Sequence, residues 1–371
     1  MPNTILTPTV IANEALAILK NQTVFADLVH TDYSSEFTKV GDTITVRTPA
    51  TLTAADFTGS ASSQTLTEGS VTVKLDKFKD VSVDITSKES SLSLRDFSKQ
   101  VIEPAMVALA QAVDVDIANH IFGAAGNAVA IASATPTTLA DIASAAKALD
   151  IAKAPIPDRH LVLSPTHKYR YALTTNLSAV NYAGSNETLR DALLGKVYTL
   201  NTYMDQNVPA STAATSGTAV GTITVASSND SGEVDLTDGS AATATFKIGD
   251  GFVYLGKLYR FTEDVTLVNS AKTSMKVSPA FPSGVSTPVA CAIVRGSNSV
   301  AFHRNGVALV TRQLDLPMGA ARAAIANDGK LAVRVVYGYS QTTKTDTISF
   351  DILYGIATLR STLLVRLADA F

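Results

Sequence analysis

Two stretches of strand-type alternation flank residues 50–69, which are Thr, Ser, Ala and Gly with few large apolar side chains. The first begins at the turn Val40-Gly41-Asp42 and runs Thr43-Ile44-Thr45-Val46-Arg47, with Pro49 closing it. The second holds Val71, Val73 and Leu75, followed by further alternation at Val81, Val83 and Ile85. The pattern predicts a long two-stranded excursion with a polar tip over residues 36–86. A lone hairpin of this kind is barely stable in water. At roughly 3.3 Å per residue, arms of about 15 residues would reach about 50 Å. Such an element makes most sense lying on another subunit. Composition agrees: charged residues are 17% of the chain while hydrophobic residues are 46%, against a usual charged share of about 25%. A surface so poor in charge fits self-association, because charged residues are depleted at interface cores.

The rest of the chain is mixed. Residues 1–30 read as an arm of helix and short helix, with Ile11, Ala15, Ile18 and Leu19 at helical spacing and then Val24, Phe25, Leu28 and Val29. Residues 93–122 are the clearest helix, with Ile102, Met106, Leu109, Val113, Ile117 and Ile121 three or four apart and Pro104 marking a first turn or kink. Val107, Ala108 and Val115 on its other side predict packing on more than one face. A second helix is expected over 138–153, a buried strand at His160–Leu163, and a helix capped by Ser164-Pro165 through Tyr171. A helix over 187–194 and a strand over 196–203 complete an α+β pattern. Short strands about ten residues apart over 210–290 predict a small β-barrel or sandwich, inserted into its surroundings. Residues 331–339 and 345–354 read as a hairpin joined through Ser340–Lys344.

The search for chemistry comes back empty. The formal net charge is −3, without the basic excess of a nucleic-acid binder. The single cysteine, Cys291, excludes an intramolecular disulfide and lies in an apolar strand, so an inert buried thiol is expected. The five histidines show no metal-ligand spacing. Gly251-Phe252-Val253-Tyr254-Leu255-Gly256-Lys257 imitates a phosphate loop, but Leu258 stands where Ser or Thr would hold magnesium, and strands surround it. No secretory signal opens the chain and no apolar run approaches the length of a membrane helix. No catalytic, cofactor-binding or metal residue is assigned. The charged candidates are for contact between subunits: Arg47, Lys74, Asp76, Lys77, Lys79 and Asp80 on the excursion, and His303 with Arg304. The interleaved signs at Lys74, Asp76, Lys77, Lys79 and Asp80 read equally as an exposed, solvated strand face or as register against a neighbour, which gives specificity more than affinity.

Several blocks carry a resemblance. They are Leu6-Thr7-Pro8 with Val29-His30, Lys39 through Arg47, Val71 through Asp76 with Ser87-Lys88-Glu89, and Thr202 through Pro209. The strongest are Ala301-Phe302-His303-Arg304-Asn305 through Leu316-Pro317-Met318-Gly319, and Asp346 through Phe350-Asp351 to Tyr354-Gly355. In these the chain resembles tailed-phage major capsid proteins of the P22 coat type, which share the HK97-like fold. The resemblance spans nearly the whole chain and is weakest over 210–290.

The resemblance implies an α+β, HK97-like capsid fold: N-arm 1–35, E-loop 36–86, spine helix of the P-domain 87–130, A-domain 131–209, inserted β-domain 210–296, and A-domain return with P-domain hairpin 297–371. It implies assembly rather than catalysis, through hexamers and pentamers into an icosahedral shell around a DNA genome. The implied partners are copies of itself, a portal protein, packaged double-stranded DNA bound without sequence specificity, and optionally a decoration protein. A separate scaffolding protein is expected because no long charged helical leader precedes the arm. The implied location is the virion, after assembly in the host cytoplasm and without a membrane. An encapsulin-type compartment shares the fold, and a β-rich fibre is the more distant alternative.

Overall fold

The computed structural model describes residues 8–31, 43–48, 69–86, 98–131, 139–174, 177, 192–208, 222–227, 232–237, 245–246, 250–255, 257–263, 265–267, 271–285, 287–317, 322–340, 342 and 345–370. In chain order these form α1 (Pro8–Gln22), α2 (Phe25–Leu28), β1 (Thr43–Thr48), β2 (Gly69–Lys74), β3 (Lys77–Thr86), a π-turn (Ser98–Ile102) and α3 (Glu103–Ala124). Next come β4 (Asn127–Ile131), α4 (Ala140–Ile151), β5 (Arg159–Leu163), α5 (Pro165–Ala172), β6 (Lys196–Val197) and β7 (Leu200–Met204). The β-rich stretch holds β8 (Thr222–Ser227), β9 (Glu233–Thr237), β10 (Thr245–Phe246), β11 (Gly251–Tyr254), β12 (Lys257–Phe261), β13 (Val265–Thr266), β14 (Ala271–Ser278) and β15 (Val289–His303). The chain ends with β16 (Val307–Arg312), β17 (Arg322–Asn327), β18 (Ala332–Ser340), β19 (Thr345–Thr358) and β20 (Leu364–Ala370). It divides into two compact units, Met1–Ile117 with Val307–Leu359, and Ala118–Gly306 with Arg360–Phe371.

The first unit is a five-stranded sheet built around β19. β18 and β3 both pair with residues 345–351 and so flank β19 on opposite edges, while β16 pairs with its last residues, Leu353 to Thr358. β17 extends the sheet beyond β18. Helix α1 places Ile11, Ala12, Ala15, Leu16 and Leu19 on one buried face, the expected helical stripe, and packs on β17 and β18. In α3, Pro104 occupies the first turn, where its missing N–H costs nothing. The stripe of Met106, Leu109, Val113 and Ile117 is buried as expected. The other face differs: Ala108 is exposed, and Val107 and Val115 are only half-buried.

Helix α3 also corrects the expectation about membrane length. By length and composition it could cross a bilayer. It carries two mid-helix carboxylates with partners in the chain, Asp114 and Asp116, and more than half of its most apolar stretch is buried. It is the core helix of its fold.

The second unit is an eleven-stranded sheet ordered β11-β12-β14-β9-β8-β15-β5-β7-β6, with β20 beside β15 and β4 parallel to β20. Two cores serve it. One packs α4 and Tyr171 of α5 against Leu161, Leu163, Ala301 and Leu367. The other is aromatic, with Phe246, Phe252, Tyr259, Phe261 and Phe281 around Met275 and Cys291. The β-rich stretch therefore has its own core, and a separate two-stranded sheet of β10 and β13, but its other strands belong to the large sheet. Strand β15 pairs with β8 at Val289–Ala292 and with β5 at Val300–His303, so the expected boundary at 296 cuts a continuous strand.

Other expectations meet the structure directly. Ser164 caps α5 by accepting the His167 backbone N–H, with Pro165 in the first turn. The phosphate-loop imitation is the β11–β12 hairpin, Gly251 opposite Arg260 and Tyr254 opposite Lys257. Cys291 is buried, and burial pushes its thiol up to about 11. The excursion is shorter than expected, because β3 pairs along its length with β19 and belongs to the sheet. Alternation alone cannot tell a free arm from a sheet strand. Residues 192–194 are not helical, and 187–191 lie outside the described residues, as do the excursion tip at 50–68 and Met318-Gly319.

Candidate inter-subunit surface

Strands β1 and β2 form a two-stranded antiparallel ribbon, Thr43 opposite Lys74 through Thr48 opposite Gly69. Among the described residues β2 is the only strand that pairs with β1. Thr43, Thr45, Ser70, Thr72 and Lys74 are exposed. At the ribbon's root Val73 and Leu75 are buried against Val310 and Ala357. There Gly355 of β19 lets the Lys74 carbonyl approach closely; a Cβ at 355 would stand 2.9 Å from the Lys74 carbonyl carbon. Two strands without a third are marginal in water, and among the described residues no third strand pairs with these two.

The charged candidates fall into three groups. Lys74 and Asp76 are exposed at the ribbon's root. Arg47 stands opposite Ser70 in register, and its side chain lies outside the described residues. The others are engaged within the chain. Lys77 and Lys79 lie 3.4 and 3.2 Å from Asp116, which also accepts the Tyr354 hydroxyl at 2.7 Å. Burial works against it, but the Tyr354 hydroxyl and the two ammonium groups hold the Asp116 carboxyl below its ordinary range. Asp80 accepts hydroxyls from Ser349 at 2.6 Å and Ser82 at 3.0 Å. The sequence could not offer Asp116 or Ser349 as partners, because both arrive from distant elements.

His303 is buried, not exposed as a contact residue would be. Its Nδ1 accepts the Asn305 N–H at 3.1 Å. Arg304 is half-buried and its backbone N–H donates to the Asp158 carbonyl at 3.0 Å. His160 on neighbouring β5 is buried too. Burial, with nearby guanidinium groups assisting, lowers the pKa of both imidazoles, despite the opposing pull of Asp158. The pair is a packed core feature at the end of β15, with neutral rings favoured.

One constellation was not visible in the sequence. Ser299 Oγ lies 2.6 Å from His167 Nδ1, and His167 Nε2 lies 3.1 Å from Asp369 Oδ1. Nε2–H donates to the carboxylate, and in the neutral ring Nδ1 accepts from the Ser299 hydroxyl. These are the residue types of a nucleophilic relay, yet Ser299 and His167 are fully buried. Ser299 Oγ also accepts the Ser164 N–H at 3.1 Å. A nucleophile must face a substrate, whereas this hydroxyl faces the core. The relay instead ties β15, α5 and β20 together, with Arg170 holding Asp369 at 2.6 Å. Its members are too far apart in the chain to form a motif. Among the described residues no three His, Cys, Asp or Glu side chains converge as a metal site would.

Comparison with known proteins gives the fold a context. Neither a protein-family model nor a curated protein matches the chain. Solved structures do. A chain from Mycobacterium phage Che8 superposes with a TM-score of 0.57 at 16% identity, covering 93% of this chain and 91% of that one. A chain from the capsid structure of Cyanophage P-SCSP1u superposes with a TM-score of 0.54 at 15% identity, covering 94% and 88%. The chain shares its fold with these phage structures over nearly its whole length.

Proposed function

We propose that this chain is the major capsid protein of a tailed bacteriophage. The observation that carries the reading is the fold shared with a capsid chain across about nine-tenths of both molecules. The ribbon β1–β2, a two-stranded sheet among the described residues that packs at its base, supports it. Copies meet through heterologous contacts, which close into rings when the rotation permits. The rings are hexamers and pentamers, and they tile an icosahedral shell in the virion after assembly in the host cytoplasm. Lys74 and Asp76, with Arg47, are the charged residues offered to a neighbouring copy. A scaffolding protein, a portal protein and packaged DNA are the expected partners, and a decoration protein is an optional one. The near-neutral charge of −3 suits a DNA container, since a strongly basic lining would hold phosphates through counterion release. The role is structural, not enzymatic.

Negative-stain microscopy of the expressed protein, alone and with its candidate scaffolding protein, tests this. Closed shells with five-fold and six-fold clusters are the expected result. Fibres, or discrete small oligomers with a hydrolytic activity, would contradict it, and shells packed with a protein cargo would favour the encapsulin-type compartment.

A further inference from the structure

The seam between β3 and β19 carries an unusual pairing. Asp80 stands directly opposite Asp351, with Ser82 opposite Ser349 and Asp84 opposite Thr347 on the same face. Like charges directly opposite on paired strands repel. Arg334 of β18, opposite Asp351, holds its Oδ2 with Nε at 2.8 Å and Nη2 at 2.5 Å. The other oxygen, Asp351 Oδ1, faces the Ser349 hydroxyl at 3.2 Å, and that hydroxyl lies 2.6 Å from Asp80 Oδ1. A serine has one hydroxyl proton, so Ser349 can donate to only one of these two carboxylates at a time. Ser82 donates its hydroxyl to Asp80 at 3.0 Å, and Arg312 of β16, opposite Leu353, stands on the same face. Asp84 adds a third carboxylate and is held by the Thr347 hydroxyl at 2.6 Å. Phe78 and Leu353 are apolar, and Ile325 of β17 stands opposite Arg334. Lys77 and Lys79 point to the opposite face, toward Asp116.

We propose that Asp80 and Asp351 form a proton clasp, in which one proton on Asp351 Oδ1 bridges to Asp80 and fastens β3 to β19, and in which loss of that proton loosens the strand. The directions of titration agree. Burial, with Asp80 adding to it, raises the Asp351 carboxyl above its ordinary value although Arg334 pulls the other way. Burial opposes the shift at Asp80, but hydrogen bonds from Ser349, Asp351 and Ser82 lower it. The raised group contributes stability at low pH that is lost as pH rises through its folded value. The lowered group contributes stability at higher pH that is lost as pH falls through its own. The seam is therefore tightest between the two folded values, and it slackens above that of Asp351. The pair titrates as a unit, not as two independent acids. Because β3 joins the ribbon to the sheet through Leu75 and Asp76, the clasp sets how firmly the ribbon's root is held. That consequence for assembly rests on the capsid reading; the clasp itself does not.

Amide hydrogen exchange over residues 77–86, corrected for intrinsic rates and measured between about pH 4.5 and pH 8, tests the clasp in the full-length protein. Protection is expected to fall severalfold toward the upper end. In Asp351→Asn the side chain keeps an N–H donor and carries no charge, so protection should stay level across the range. If that variant does not fold, Asp80→Asn removes the same repulsion and should also level the profile. Unchanged protection in the natural protein would overturn the proposal, and so would a fall of equal size in the variant that folds. Failure of shell formation in the microscopy would leave this result untouched, which separates the two claims.

Discussion

Gly355→Val should detach the β1–β2 ribbon from its base and cost the protein a large part of its stability. The buried glycine sits in β19 where the Lys74 backbone crosses, and a Cβ there would meet the carbonyl carbon at 2.9 Å and Leu75 Cα at 3.3 Å. Neither neighbour is a side-chain end that can swing aside. The two strands must separate, which also opens the small core of Val73, Leu75, Val310 and Ala357. Overpacking a core costs about 1–3 kcal/mol, and a clash with backbone belongs at or above the top of that range. Chemical denaturation should show the loss, and amide exchange over residues 69–74 should accelerate. Gly338→Val is the control. That glycine lies in the same sheet, exposed, with nothing within 4 Å of an added Cβ, so the change should stay within about 0.5 kcal/mol.

Asp114→Ala is the second large effect. Asp114 is fully buried on α3, where it accepts the backbone N–H of Val24 at 2.9 Å and of Phe25 at 3.2 Å. It serves as the N-terminal cap of α2, whose own Val24 position has no side-chain cap. A buried backbone donor left without a partner costs about 1–3 kcal/mol. With two donors at stake, a loss of roughly 2–5 kcal/mol is expected. Asp114→Asn should recover only part, because one amide oxygen replaces two carboxylate oxygens and the NH2 group then faces a donor. Urea unfolding of the three proteins gives the ranking, natural above Asn above Ala. Asp76→Ala, at an exposed position, should lie within about 0.5 kcal/mol of the natural protein.

What the sequence made legible was local. The α1 stripe at Ile11, Ala15 and Leu19, the Ser164-Pro165 cap and the rejected phosphate loop each depend on residues within a few positions of one another. Period and capping chemistry carry that information. What remained hidden was pairing at a distance. Val81 and Val83 read as strand, but nothing near them says that the partner is β19 and not the opposite arm of a hairpin. Lys77 and Lys79 read as an exposed charged run because Asp116 comes from a helix far along the chain. The same holds for Asp114 as a cap and for the joining of Ser299, His167 and Asp369. The long strand β15 defeated the boundary at 296 for a related reason. Composition changes near it, but one strand serves both parts of the sheet. The surface candidates Lys74 and Asp76 are exposed where the alternation placed them, whereas His303 is buried because its strand runs through the core.

The central claim is that the thin ribbon becomes firmly ordered by lying across other copies of the chain. Amide exchange at residues 43–48 and 69–74, followed in dilute protein and in assembled particles, measures it most directly. The expected result is rapid exchange at low concentration and strong protection in the particle. Equal protection in dilute protein that never forms particles would contradict the account.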